Sequence, residues 1–266
     1  MKSFCTLLFA SLFVITNAFT QRIPANKPFI VKATSTECNV CGLRAWTDFK
    51  DVVDKYGKDA VVMAVHPLDE SQLFSNTAME IMDNKPSFFG TPSLFINEEF
   101  HFGDWFVGIR DFIGPFQERR VLAHPEVDFQ IKGNELSVEV NTEFLHKTNR
   151  PHYVSAYVVE DHVRAFQNNR LPDDLHSKVL RTHLGESTFG VLLSETDILA
   201  NQKFTNNFTL ELDPEWNTEN IEIATVIWEK RGETYHVINS NKALEPSFST
   251  SVNILEQAKV QLSIQP

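Results

Sequence analysis

The chain has 266 residues, 42% of them hydrophobic and 22% charged, with 10 Gly and 12 Pro. That composition excludes a wholly disordered or collagen-like chain, and the length suits one large domain or two ordinary ones. The net charge of −11, from 24 Lys+Arg against 35 Asp+Glu, repels phosphate backbones and argues against a nucleic-acid partner, while three cysteines are too few for a disulfide scaffold.

Residues 1–18 read as a signal peptide. Lys2 precedes the apolar run Phe4–Ile15, and Thr16-Asn17-Ala18 supplies the small residues of a cleavage site after Ala18. The run is shorter than the roughly 20 residues of a membrane-spanning helix; an uncleaved anchor is the other reading of it. The mature protein is therefore expected to be exported, to the periplasm, the outer membrane or the medium, into an oxidising compartment. Cleavage removes Cys5 and leaves only Cys38 and Cys41.

From Phe29 to about Arg120 strands and helices alternate. Phe29-Ile30-Val31 reads as a strand. Leu43, Trp46, Phe49, Val53 and Tyr56 fall at helical spacing after Cys41, with Gly57 where a helix ends. Ala60–Val65 reads as a fully buried strand, Glu70–Met82 as a second helix, and Pro92–Ile96 as a strand paired with Glu99–Phe102 across a turn. A third helix carries Trp105, Ile109, Phe112 and Ile113 inward and ends or kinks at Gly114-Pro115.

Beyond a boundary near Ala123–Pro125 the pattern changes. Val127–Ile131 and Leu136–Val140 alternate on either side of a Gly133-Asn134 turn, and Val154–Val159, Phe208–Leu212, Ile221–Trp228 and Tyr235–Ile238 continue in the same style. The expectation is an α/β domain at 19–124 followed by an all-β antiparallel sandwich of immunoglobulin-like type at 125–266. The second part carries 12 basic and 21 acidic side chains against 11 and 14 in the first, which a solvated acidic surface explains. His66 and His101 read as polar strand ends, and the four tryptophans as core or edge aromatics.

The chemistry concentrates in Cys38-Asn39-Val40-Cys41, between a strand and a helix. Cys38 at a helix N-terminus would have its thiolate stabilised by unpaired N–H groups, and Cys41, one turn inward, could resolve a mixed disulfide. Such exchange needs no metal or organic cofactor. Half of a zinc site, a static disulfide and a retired active site use the same two residues; the zinc reading lacks histidines at ligand spacing.

With Gly90-Thr91-Pro92-Ser93-Leu94-Phe95-Ile96 added, residues 29–120 resemble a thioredoxin-fold domain. The resemblance implies that Pro92 is cis and faces the sulfurs, and that the Thr91 backbone pairs with a bound peptide. Cys38, Cys41, Thr91 and Pro92 are thus the candidate catalytic residues, and protein or peptide thiols and disulfides the implied partners. The whole chain is similar to the outer-membrane-protein-28-related proteins of Bacteroidetes, on its domain order, on Tyr157-Val158-Val159-Glu160-Asp161, and on His176–Gly185 containing Val179-Leu180-Arg181. That resemblance implies an envelope location with outer-membrane or cell-surface association, and supplies no substrate. Some members are proposed receptors or adhesins.

Three positions depart from the thioredoxin pattern: Glu37 stands where Trp is usual, Asn39-Val40 where Gly-Pro is usual, and Lys32 where a buried proton-relaying acid is usual. A Lys32 ammonium near the sulfurs would favour thiolate; a side chain reaching solvent would not act on them. The expected function is exported thiol–disulfide exchange, with the sandwich binding a client or the cell surface. The alternative is an envelope binding or adhesion protein whose thioredoxin-like fold is a scaffold with a static disulfide.

Overall fold

The computed structural model describes residues 24–101 and 105–247, without the side chains of 105–108. The signal-peptide segment 1–18 with Cys5, Phe102 and the side chain of Trp105 lie outside the described residues.

The chain begins with β1 (Phe29–Ala33), α1 (Arg44–Tyr56), β2 (Val61–Val65), α2 (Asn76–Asp83), β3 (Ser93–Ile96), β4 (Glu99–His101) and α3 (Trp105–Gln117). It continues through β5 (Ala123–Lys132), β6 (Glu135–Phe144), β7 (His152–Glu160), β8 (Val163–Arg164), β9 (Leu175–His176), β10 (Val179–Leu184), β11 (Val191–Ser194), β12 (Gln202–Glu211), β13 (Ile221–Arg231) and β14 (Thr234–Ala243).

β1 and β2 are buried along their whole length because helices or loops cover both of their faces. They pair in parallel, Val31 opposite Met63, and β3 joins β1 antiparallel, Val31 opposite Phe95. One face of these strands packs Ile30, Val62 and Leu94 against Phe49, Val52 and Tyr56 of α1 and Ile109 and Ile113 of α3. The other packs Phe29, Met63 and Phe95 against Ala78, Ile81 and Met82 of α2.

The second half does not stand apart as a closed antiparallel sandwich. Its strands β14-β13-β7-β10 continue into β2-β1-β3-β4 to make one mixed sheet of nine strands, with β11 also on β7. The join is a parallel contact between β10 and β2, where Val179 lies opposite Ala64 and the Ala64 N–H donates to Lys178 O at 2.7 Å. Side-chain alternation lets this sheet serve two cores. Tyr157, Val159, Ala224, Val226 and Trp228 face the α2 side, in one cluster with Phe29 and Met63. Val154, Ala156, Val158, Ile223 and Ile227 face a three-stranded sheet, β12-β6-β5, packing on Phe129, Val138, Val140 and Phe144. The alternating reading of 127–140 is this hairpin, with Val127 opposite Val140.

Two elements differ from the sequence expectation. The second helix starts at Asn76 rather than Glu70, because Ser75 caps it by accepting the Ala78 N–H, while the Ser71 hydroxyl is taken by Thr36 N–H and His66 Nδ1. Hydroxyls that bind nearby backbone favour caps and turns over helix interiors. The third helix runs through Pro115 to Gln117; Pro115 has no N–H to donate to the carbonyl one turn back, so one bond is missing near the end of the helix.

Candidate functional site

Cys38 and Cys41 form a disulfide, with sulfurs 2.09 Å apart and Cα atoms 5.2 Å apart. Cys41 is 0% exposed while Cys38 is half-buried. The Cys41 N–H donates to Cys38 Sγ at 3.1 Å. Opposite Cys38, the Thr91–Pro92 peptide is cis and Thr91 O lies 3.7 Å from Cys38 Sγ. The turn and the strand-entry segment, 53 positions apart in sequence, are thereby brought against one sulfur.

The local helix differs from expectation. Val40–Gly42 is a short 3₁₀ turn, and α1 begins only at Arg44 after a break at Leu43, whose φ and ψ are −94° and −126°. Cys38 therefore lies off the end of α1, so the helix dipole acts on it weakly, since that field fades within the first turn. The Cys41 N–H is the local donor that remains.

Sequence reasoning missed a strap from the second half. Between β8 and β9 the chain crosses the cysteine turn, and three consecutive amide side chains occupy its carbonyls. Gln167 Nε2 donates to Ser35 O, Thr36 O and Cys38 O at 3.2–3.3 Å. Asn168 Nδ2 donates to Glu37 O and Asn169 Nδ2 to Asn39 O, each at 3.2 Å, and the Asn168 N–H donates to Thr36 O at 2.8 Å. All five carbonyls from Ser35 to Asn39 are thus bound. Asn169 takes φ 63°, a left-handed conformation that Asn tolerates better than most residues. The only sequence signal was the run Gln167-Asn168-Asn169 itself.

Gly42 is required by this strap. A Cβ there would lie 1.8 Å from Asn168 O, so Gly42→Ala must push the strap away. We expect a loss of about 1–3 kcal/mol in stability, the usual cost of overpacking, and faster amide hydrogen exchange at Asn168. Unchanged exchange at Asn168 would show that the strap is not seated as described.

Lys32 does not reach solvent. It is 3% exposed, with Nζ 4.9 Å from the Phe49 ring centre and 5.8 Å from that of Trp46. Burial pushes its pKa down to about 7, opposed by Asp48. His66 is not a polar strand end but fully buried; desolvation, then His176, Lys32 and Arg181, hold its pKa well below the usual imidazole value. His176, 5.7 Å from His66 ring to ring and 4.9 Å from Trp46, is pushed down to about 4, first by burial and then by Lys32. Both imidazoles are therefore neutral near pH 7. His101 is half-buried and its pKa is lowered, chiefly by desolvation. Among the described residues no group of three or more His, Cys, Asp and Glu side chains has a metal-binding arrangement, and no described helix is long and apolar enough to cross a membrane.

No family model and no curated protein matches the chain. Among solved structures, HBP35 of Porphyromonas gingivalis is similar over 85% of this chain and 79% of its own, with a TM-score of 0.69 at 15% identity. A domain of the outer membrane lipoprotein Omp28 from the same organism aligns over 49% of this chain and 93% of its own at 15% identity, with a TM-score of 0.34, too low to carry an argument. The first likeness concerns the fold, and it spans both halves of the molecule.

Proposed function

We propose that the protein is an exported thiol–disulfide exchange protein working through Cys38 and Cys41, with the Thr91–Pro92 segment orienting a partner peptide. The observation that carries this reading is the asymmetry of the pair: Cys38 is reachable and receives the Cys41 N–H, whereas Cys41 is buried beneath it. A client thiolate attacks Cys38 Sγ, forming a mixed disulfide and expelling Cys41 as thiolate. A second client thiolate then attacks the client sulfur and releases Cys38 as thiolate. The client dithiol is oxidised by two electrons and the cysteine pair reduced; client reduction runs the same steps in reverse. The half-exposed Thr91 supplies backbone groups beside the reacting sulfur, and an amide donor aimed at Cys38 stabilises its thiolate.

The export signal read at residues 1–18 supports an envelope or extracellular site of action, and the fold likeness to HBP35 is compatible with it. Membership of the outer-membrane-protein-28-related family, division into units at 19–124 and 125–266, and a client- or surface-binding role for the β-rich half belong to the same proposal.

The Gln167–Asn169 strap favours a second reading, a scaffold with a static disulfide, because it ties down every carbonyl from Ser35 to Asn39. An insulin-reduction or thiol-transfer assay separates the two. Wild type is expected to be active and Cys38→Ser to lose at least about 100-fold, as removal of an attacking sulfur demands. Activity absent from both proteins, or equal in both, would exclude the exchange reading.

A further inference from the structure

Among β1, α1, β2 and β9 lies a cavity of about 10 Å³, lined by Lys32, Thr34, Trp46, Phe49, Lys50, Ala64, His176 and Ser177. It has room for about one water-sized species. Three of its polar walls are more than nine-tenths buried: Lys32 at 3% exposure, Thr34 at 2% and Trp46 at 5%. Among the described residues Thr34 Oγ1 and Trp46 Nε1 have no hydrogen-bond partner, and Lys32 Nζ lies against the rings of Phe49 and Trp46. A buried donor without a partner costs about 1–3 kcal/mol, so two of them beside a buried lysine call for an acceptor inside the space.

The charge around the cavity has a sign. Lys32 and Lys50 both line it, and Lys50 Nζ lies 5.4 Å from the Trp46 ring centre. Of the acids close by, Asp48 acts on Lys32 from a distance while pairing with Arg44 at 3.2 Å, and Asp174 pairs with Arg170 at 2.7 Å. His176 directs its Nε2 to Phe166 O at 3.3 Å, and His66 its Nδ1 to Ser71 Oγ at 2.8 Å. What remains is donor-rich, cationic and small.

We propose that this cavity is a binding site for a small monovalent anion of halide type, held by Lys32 Nζ, Thr34 Oγ1 and Trp46 Nε1. A carboxylate or phosphate ligand is too large for the space, and a water, although Thr34 Oγ1 could accept from it, would leave the lysine charge uncompensated. Half-exposed Lys50 marks the way in. The site lies apart from the disulfide and does not depend on the exchange reaction.

Crystals of the wild-type protein grown or soaked in sodium bromide give the direct test. An anomalous peak between Lys32, Thr34 and Trp46 is expected, absent from Lys32→Met. Thermal unfolding at constant ionic strength, with sodium chloride replacing sodium gluconate, gives the solution test. A rise in Tm of about 3 °C at roughly tenfold excess over Kd, growing further with the logarithm of chloride concentration, is expected for wild type, and none for Lys32→Met or Trp46→Phe. An ordered water alone in the cavity, or an equal chloride effect in the variants, would overturn the proposal.

Discussion

After reduction of the disulfide, Cys38 is expected to be alkylated by iodoacetamide at least about 100-fold faster than Cys41. Two causes act together. Cys38 is half-buried and keeps a direct amide donor, the Cys41 N–H at 3.1 Å, which favours its thiolate. Cys41 is 0% exposed, so a reagent reaches it only through a local opening, and an opening free energy of about 3 kcal/mol already slows reaction about 100-fold. Mass spectrometry of the two labelled peptides over time reads both rates. Equal rates would mean that the turn opens as a unit on reduction and that Cys41 is not a protected resolving sulfur. A Cys41→Ser variant, with the resolving sulfur gone, should in turn accumulate mixed disulfides through Cys38.

Lys32→Met is expected to stabilise the protein by about 2–4 kcal/mol at pH 6–7 in halide-free buffer, because it removes a buried cation of similar shape that lacks an ion pair. The pH dependence has a definite sign. Lys32 has a folded pKa of about 7 against an ordinary 10.5, so the folded state binds this proton more weakly than the unfolded state does. Between about pH 7 and 10.5 the unfolded chain holds more protons, and stability rises with pH through that window. Below about pH 7 both states are protonated and the charging penalty is fully present, with an upper bound on the order of 5 kcal/mol. The difference in unfolding free energy between Lys32→Met and wild type, from urea titrations, should therefore be largest near pH 6 and shrink towards pH 10. A difference independent of pH would show that Lys32 is solvated when folded.

Much of the first half was legible because its signals are local. Phe29–Val31, Ala60–Val65 and Pro92–Ile96 are continuous apolar runs, and they are strands at 29–33, 61–65 and 93–96. The alternation through 127–140 could be read as a hairpin because polar residues mark the face turned away from the core. Cys38, Cys41, Thr91 and Pro92 meet at one place, but their convergence came from resemblance, since no local pattern joins positions 38 and 91.

What escaped is non-local. The sheet join rests on Val179 opposite Ala64, a contact between segments that each read as ordinary buried strands. The strap depends on three amides whose carbonyl partners lie about 130 positions away. Neutral amides carry no periodicity and no charge to announce a partner. Lys32 reads in sequence either as a cation near the sulfurs or as a side chain reaching solvent, and neither reading contains its burial against the rings of Trp46 and Phe49. The helix start at Asn76 was missed because the apolar spacing of 70–82 fits a helix throughout, and the caps and hydroxyl bonds of Ser71 and Ser75 decided otherwise.

The central claim is that Cys38–Cys41 cycles rather than merely holds the turn closed. The most direct measurement is the equilibrium of the pair with defined glutathione buffers, quantified by thiol trapping on the full mature chain. An exchange-active pair is expected at a potential between about −270 and −120 mV, the range of thioredoxin-like oxidants and reductants. A potential below about −300 mV, where structural disulfides lie, would contradict the account and leave the strapped turn as a scaffold.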